Sequence, residues 1–412
     1  MKFDRRTLLV AGGVLAGSAA VGSRIAFANA PIRIGATLPL SGGSQLIGNN
    51  HRLGIEIARD QINAAGGVGG RPLEILFRDD KGDPNQAVAN ARELSADGVT
   101  MLIGPSLSAQ NVAVIQIIES LNMVQMTPSS PLLSLTHELY SRNFFRGADN
   151  DHMRARTLAR VMAERFPNVK KWSGIVLDVA VGHASWAHFS AGLKEFYPQI
   201  ANTEVEVLDV ATAKFGSTDF RTQIFRLMQS GAEGVYNLTF GADMVTMWNQ
   251  AKTLGLSDKV SVVADGGGGL NLPTALGKNM PPQMWSNVHW NIVNPNGNAL
   301  HAELLAEIGR RTSAPFPPDD AASGHSAVHS FAAAVKAADS VETQAIIEAL
   351  ESVEIDTVMG KASFRKEDHQ RLSPVNILGS APTESGVEFK SGVEIAGSEV
   401  VEAASPGVEY KI

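Results

Sequence analysis

Short apolar runs alternate with stretches of helical periodicity along the first third of the chain. The strand-like runs fall at residues 32–38, 73–77, 101–103 and 123–126, and the helical stretches at 48–64, 84–96 and 109–121. Such alternation predicts a parallel, doubly wound sheet with helices on its faces. One helix start is well marked, because Asp83 can accept hydrogen bonds from free N–H groups and Pro84 is preset for the first helical turn.

A second series of the same kind begins after residue 146. Its strand-like runs fall at 175–177, 205–210, 234–238 and 260–263, with helical patterns at 185–197, 219–229 and 243–254. Further helical patterns follow at 299–311, 320–338 and 341–352, and a tail rich in Gly, Val and Glu from Gly379 to Ile412 indicates short strands and turns. Because 412 residues exceed what one hydrophobic core usually serves, we expect two α/β domains.

The first residues are typical of an export signal. Arg5 and Arg6 precede an apolar run at 8–21, and small residues follow it. We expect cleavage near Ala28. The paired arginines favour the twin-arginine route, although Asp4 replaces the usual serine or threonine; the alternative is the positive end of a general secretion signal. Either route exports the protein.

Composition limits the classes of partner. The chain has no cysteine, so it has neither a disulfide nor a thiol for lipid attachment. The net charge of -7 becomes -10 once the signal, which carries a net +3, is removed, and an acidic chain is not expected to bind nucleic acid. Beyond the signal, no apolar run approaches the ~20 residues that span a bilayer. We therefore expect a soluble periplasmic protein.

Several motifs resemble those of one family. Pro39-Leu-Ser-Gly42 is followed by Asp60-Gln-Ile-Asn-Ala-Ala-Gly-Gly-Val-Gly-Gly-Arg71. Both are similar to the opening of the branched-chain amino-acid-binding (leucine/isoleucine/valine) proteins, which are periplasmic solute-binding components of ABC importers. The resemblance runs from residue 32 to about residue 360. It implies the type I periplasmic binding fold, in which two doubly wound parallel-sheet domains are joined by three crossover segments.

This resemblance also implies a division of the chain. We place the crossings near Ala148, Asn291 and Leu372. The predicted parts are a signal at 1–28, a first domain of 29–148 with 291–371, and a second domain of 149–290 with 372–412.

The function implied by the resemblance is binding, not catalysis. We expect a monomer without a cofactor that captures a small amino acid or related carboxylate between its domains and delivers it to a membrane permease. One alternative is a binding protein for an aromatic or aliphatic carboxylic acid or amide. Another is a ligand sensor built on the same fold.

Loops of the first domain supply the expected carboxylate site. Ser106 and Ser108 follow a predicted strand, where hydroxyls and the free N–H groups of a helix start can hold an anion. The resemblance assigns the ligand carboxylate to Ser108; the alternative is a plain helix N-cap. Ser129 and Ser130 occupy the corresponding second loop, in which the usual threonine falls on Pro131 or on a deletion.

The second domain supplies the other expected contacts. Asp265 and Gly266 resemble the strand-end segment that the family places against the ammonium group of its ligand. The competing interpretation is that Asp265 forms a turn with the glycines that follow it. Phe240 matches an aromatic position and offers an apolar wall, or else belongs to the core.

Departures from the family pattern bear on the ligand. Gln45 and Ile47 would line the rim, and Ile47 stands where relatives often carry tyrosine. His325 also replaces a tyrosine; it and His183 can donate to an anionic or phenolic ligand, or can be structural.

No catalytic arrangement or metal site is predicted from the motifs. The chain lacks the phosphate-binding, zinc-protease and serine-hydrolase signatures. The one pair with metal-ligand spacing is His325 and His329, four apart on a predicted helix, and that spacing is usually accidental.

Overall fold

The structure is a computed structural model that describes residues 30–293, 298–390 and 392–411, so the predicted signal at 1–28 lies outside the described residues. Five parallel strands form the first sheet, in the order β2-β1-β3-β4-β5. They are β1 (Ile32–Leu38), β2 (Leu73–Asp79), β3 (Met101–Ile103), β4 (Val124–Thr127) and β5 (Phe144–Arg146). The helices between them are α1 (Gln45–Ala64), α2 (Pro84–Ala96) and α3 (Ser108–Ile115).

Local signals explain where these helices begin and end. The predicted start at Asp83 and Pro84 is confirmed, because the Asp83 carboxylate accepts a 2.8 Å hydrogen bond from the Gln86 N–H. The predicted helix at 109–121 is too long. After Ile115 the backbone tightens into turns that end at Asn122, whose φ of 50° lies in the left-handed region.

Six further strands continue the chain. They are β6 (Lys171–Leu177), β7 (Glu206–Val207), β8 (Ala211–Ala213), β9 (Gly234–Leu238), β10 (Val262–Asp265) and β11 (Met284–Val288). The helices of this part are α4 (Asp151–Arg165), α5 (Ala180–Phe196), α6 (Arg221–Ser230), α7 (Gly241–Leu254) and α8 (Asn271–Leu276). The run predicted as a strand at 205–210 contains only the short strand β7, and β8 follows just after it; both pair with β6.

The last part of the chain returns to the first sheet. Its elements are α9 (Ala299–Arg311), α10 (Asp319–Ala338), α11 (Thr343–Leu350) and the antiparallel strands β12 (Ile355–Thr357), β13 (Gly360–Phe364) and β14 (Arg371–Leu372). Buried side chains of α10 and α11 pack against β1, β3 and β4 in one core. We call the first sheet with its packed helices the first lobe.

The tail completes the second sheet. After β14 come β15 (Val375–Thr383), β16 (Gly386–Phe389), β17 (Val393–Ile395) and α12 (Gly397–Val400). The sheet has nine strands; its main path is β16-β15-β11-β10-β9-β6-β7, with β17 on β15 and β8 on β6. It is mixed, because β15 runs antiparallel to β11. We call this sheet and its helices the second lobe.

The exact residue boundaries of the two predicted domains stay a prediction. Among the described residues, no helix is long and apolar enough to cross a bilayer.

Candidate ligand-binding site

A cavity of about 440 Å³ lies between the two lobes. Its walls come from loops and helix starts that follow the carboxyl ends of strands in both sheets, which is where doubly wound folds bind ligands. The lobes also touch directly: the Asn50 side chain donates a 3.0 Å hydrogen bond to Asn271, and the Ala242 N–H lies 3.4 Å from the Gly43 carbonyl. A bound solute would therefore contact both lobes.

Three serines of the first lobe line the cavity. Ser106 lies 3.1 Å from Nδ1 of His51, and the Ser129 hydroxyl donates a 3.1 Å hydrogen bond to the Ser106 carbonyl. Ser108 is the first residue of α3, and its Oγ lies 3.0 Å from that of Ser130. The cap position is Leu107 and no side chain caps α3, so the N-cap interpretation of Ser108 is wrong. The first N–H groups of α3 remain available to an anion.

A chain of charged and polar side chains forms the adjoining wall. Arg154 donates a 3.1 Å hydrogen bond to Asp149, and its Nη2 lies 3.5 Å from Nδ1 of His289. The other ring nitrogen of His289 lies 3.8 Å from Asp320. Arg154, His289 and Asp320 all line the cavity. Cationic and anionic groups therefore lie on opposite sides of one imidazole.

Burial sets the charge of this wall. Burial and the neighbouring Arg154 lower the pKa of His289 to about 3, so its ring is neutral near pH 7. Burial alone would raise the pKa of Asp149, but the charge and the hydrogen bond of Arg154, together with contributions from other neighbours, outweigh burial and lower that pKa. Arg154 keeps an Nε–H that is buried without a hydrogen-bond partner.

Most of the remaining surface of the cavity is apolar. The rings of Phe215 and Phe240 lie 5.5 Å apart. The other apolar side chains include Ile47, Leu107, Val112, Leu132, Val179, Val181 and Leu238. A ligand with one charged end and an apolar body matches this distribution.

Six of the residues predicted from the sequence meet at this cavity. They are Ile47, Ser106, Ser108, Ser129, Phe240 and Gly266. Ser130 is fully buried behind them and contacts the cavity only through its bond to Ser108.

Asp265 does not line the cavity. Its carboxylate is fully buried, where it accepts a 2.7 Å hydrogen bond from the Asn237 amide and 3.1 Å bonds from the N–H groups of Gly268 and Gly269. Burial raises the pKa of Asp265. The competing interpretation, in which Asp265 fixes the glycine turn, accounts for all of these contacts.

Three other predicted contacts also lie away from the cavity. Gln45 is exposed at the start of α1. His183 is exposed and lies 2.7 Å from Asp178. His325 is buried between α1 and α10, where its Nε2 lies 2.8 Å from the Gln61 amide oxygen. The first two face solvent and the third is enclosed by helices, and none of the three lines the cavity.

Sequence reasoning missed Arg154, His289 and Asp320. Arg154 lies one turn inside α4, whose start is marked by Asn150, a side chain that accepts a hydrogen bond from the Met153 N–H. That cap fixes the helix, but Arg156 and Arg160 follow with similar spacing, so the pattern alone does not single out Arg154.

One cluster in the described part of the chain has metal-ligand geometry. It consists of His137, Asp368 and Glu402, whose ligand atoms lie within 4.8 Å of one another. The carboxylates already accept hydrogen bonds from Arg365 and Asn150, so a cation would have to displace a guanidinium and an amide. We assign no metal to it.

Comparison with known proteins decides the family. Residues 31–380 match the family model described as periplasmic binding protein. The chain belongs to this family. The matched relatives are substrate-binding proteins of transporters, not enzymes, and membership implies an extracytoplasmic location.

Individual members of the family give the same result. A leucine-, isoleucine-, valine-, threonine- and alanine-binding protein of Pseudomonas aeruginosa is 29% identical over 225 residues, which is 55% of this chain and 58% of that relative. A Streptococcus pneumoniae branched-chain amino acid transporter substrate-binding protein in complex with isoleucine has a TM-score of 0.75 and 19% identity, covering 89% of this chain and 99% of that one. A solute-binding protein of an ABC transporter from Rhodopseudomonas palustris in complex with benzoate has a TM-score of 0.76 and 17% identity, covering 92% and 100%. At these identities the two structures show the fold, and the predicted fold class is confirmed.

Proposed function

We propose that this protein is the extracytoplasmic solute-binding component of an ABC importer. It captures a small carboxylate-bearing solute between its lobes and presents it to a membrane permease. We further propose that the protein is exported by the twin-arginine route, is a monomer and has no enzymatic activity. The observation that carries it is the cavity of about 440 Å³ between two doubly wound sheets, polar on one wall and apolar elsewhere.

Capture works through closure of the lobes. The serines and the start of α3 belong to the first lobe, whereas Arg154 and Phe240 belong to the second. A solute that touches both sets has more contacts in the closed arrangement than in an open one, and this difference shifts the equilibrium toward closure. The permease then distinguishes loaded protein from empty protein by its shape.

The first ligand class that we propose is a carboxylic acid with an apolar or aromatic body. Arg154 presents a planar guanidinium that pairs well with carboxylates, and the uncapped start of α3 offers N–H donors. Phe215 and Phe240 can pack against a ring. The relative with bound benzoate makes this class the natural first trial.

The second class is an apolar amino acid. An ammonium group needs an acidic partner, and Asp320 lines the cavity whereas Asp265 does not. One oxygen of Asp320 accepts a 2.9 Å hydrogen bond from Asn271, and the other lies 3.8 Å from two ring nitrogens. Asp320 therefore keeps capacity to accept a further donor.

A thermal-shift screen of the purified protein tests the proposal. Benzoate and 4-hydroxybenzoate represent the first class, and leucine and isoleucine the second. A ligand at 100 times its dissociation constant adds about 2.7 kcal/mol of stability, which is readily detected. Stabilisation by benzoates alone supports the first class and stabilisation by amino acids alone the second. If no compound of either class stabilises the protein at millimolar concentration, the proposed ligand chemistry is wrong.

The Asp320→Asn variant separates the two classes further. It removes the negative charge while retaining a side chain of the same shape. Amino-acid binding should fall strongly, whereas benzoate binding should change little.

Uptake of the radiolabelled ligand by cells lacking this gene distinguishes an importer from a sensor. Lost uptake supports the importer, and unchanged uptake would support the sensor alternative.

A further inference from the structure

The end of the chain crosses between the two lobes. After α12, residues 401–411 run past the loop between β4 and β5 and past the first turn of α4. The backbone before this segment packs tightly at Gly397, because a Cβ added there would lie 2.3 Å from the Ser373 carbonyl oxygen. This close contact fixes where the segment begins. This segment follows the region that matches the family, which ends at residue 380.

Glu402 joins three elements that are distant in the sequence. Its carboxylate accepts hydrogen bonds of 3.0 Å from the Asn150 amide, which caps α4, and lies 3.2 Å from Nε2 of His137 in the loop before β5. Arg365, in the turn between β13 and β14, lies 3.5 Å from the same carboxylate. Burial alone would raise the pKa of Glu402, but the bonds from His137 and Asn150 outweigh it and lower that pKa to about 2.

The residues after Glu402 add further contacts to both lobes. The Ser405 hydroxyl lies 2.5 Å from Nδ1 of His137, and the Gly407 N–H donates a 2.7 Å hydrogen bond to the His137 carbonyl. The ring of Tyr410 lies 5.3 Å from the ring of His137 and 5.9 Å from that of His188 on α5. One short segment therefore contacts both lobes.

These contacts are linked to the cavity through α4. Its first turn carries Asn150 and His152, which contact the segment, and Arg154, which lines the cavity. If the second lobe rotated away, α4 and α5 would move relative to His137, and the segment could not keep both sets of contacts.

We propose that residues 401–411 are a latch that stabilises the closed arrangement of the lobes. The claim that closure accompanies solute capture rests on the proposed function, but the latch itself is defined by contacts within the protein. Weakening the latch should increase the fraction of open molecules, and the apparent dissociation constant of any solute that needs closure rises as the closed fraction falls.

The distance between the lobes of the ligand-free protein tests the latch. The chain has no cysteine, so two introduced cysteines can carry spin labels without interference. Ala89→Cys on α2 and Thr253→Cys on α7 are exposed positions on opposite lobes. Their distance distribution is measured by pulsed electron paramagnetic resonance in the full chain, with and without Glu402→Gln.

We expect Glu402→Gln to add a population at longer distance. The matched control is Glu399→Gln, which removes the same charge at an exposed position on α12 and should leave the distribution unchanged. Tyr410→Ala is a milder second variant that removes the ring contacts and the contact of the Tyr410 hydroxyl with His152, but keeps the Glu402 carboxylate, and it should produce a smaller shift in the same direction. It keeps the test valid if Glu402→Gln does not fold.

A lower melting temperature with an unchanged distance distribution in both variants would overturn the proposal, because the segment would then only brace the fold. The measurement uses no solute, so it remains decisive if the screen with benzoates and amino acids finds no ligand.

Discussion

The Asn237 amide donates a 2.7 Å hydrogen bond to the carboxylate of Asp265, and both residues are fully buried. The same carboxylate fixes the turn that begins at Gly266, so its role is in the fold of the second lobe. We predict that Asp265→Ala lowers the stability of the whole protein by roughly 2–4 kcal/mol, because it leaves several buried donors without partners. Urea unfolding measures this change.

Asp258→Ala is the control for this substitution, since Asp258 is an exposed acid in the same lobe. It should change stability by less than about 0.5 kcal/mol. A stable Asp265→Ala protein that had lost only amino-acid binding would contradict the structural role and restore the ligand role expected from the sequence.

The positions of the serines could be derived from the sequence, whereas the position of Arg154 could not. Ser106 and Ser129 follow strands of a predicted parallel sheet, and the carboxyl ends of such strands meet at one edge. Arg154, His289 and Asp320 come from three distant parts of the chain, and their proximity depends on how the lobes pack. The spacing of apolar residues along the sequence carries no information about how the lobes pack.

Arg154 should determine affinity for an acidic ligand. We predict that Arg154→Met weakens benzoate binding by roughly 10- to 100-fold, because a charge-assisted hydrogen-bonding partner of the carboxylate is lost. Arg154→Lys keeps the charge but not the planar fork, so its affinity should be intermediate. Isothermal titration calorimetry measures both dissociation constants.

Arg160→Met is the matched control, because Arg160 lies on the same helix and pairs with Glu164 outside the cavity. Its affinity for benzoate should equal that of the unaltered protein. Equal losses in the Arg154 and Arg160 variants would show that the effect is one of general charge, and the cavity would then have no specific anchor.

The elements of the fold were more predictable than their ends. β1, β3 and β9 were predicted at their observed bounds, because each is a largely buried run in which apolar residues predominate. The antiparallel course of β15 was not, since the apolar pattern of a strand carries no information about the direction of its neighbour.

The stability of the protein should depend on pH through His289. Its pKa in the folded protein is about 3 because of burial and Arg154, whereas that of an unfolded histidine is about 6.5. Between these values the unfolded chain binds a proton that the folded chain does not, so the contribution of His289 to stability is present near pH 7 and is lost as the pH falls. Each pKa unit corresponds to roughly 1.4 kcal/mol.

We therefore predict that lowering the pH from 7 to 4 destabilises the unaltered protein by about 3 kcal/mol more than it destabilises His289→Gln. The variant is the less sensitive to acid because it has no histidine to protonate at this position. Urea unfolding at several pH values measures it. Parallel curves for the unaltered protein and His289→Gln would contradict the prediction.

Two helical glycines should respond in opposite ways to substitution by alanine, because one lies at the close contact of α1 with α10 and the other faces open space. A Cβ added at Gly54 in α1 would lie 1.9 Å from the Ala321 carbonyl oxygen, and neither helix backbone can move away cheaply. We predict that Gly54→Ala costs at least roughly 3 kcal/mol of stability or prevents folding.

A Cβ at Gly309 in α9 would meet nothing within 4 Å, so Gly309→Ala should stabilise the protein by about 0.5–1 kcal/mol through the higher helix propensity of alanine. Thermal and urea unfolding of both variants check the opposite signs, and a stable Gly54→Ala protein would show that the two helices lie further apart than this contact requires.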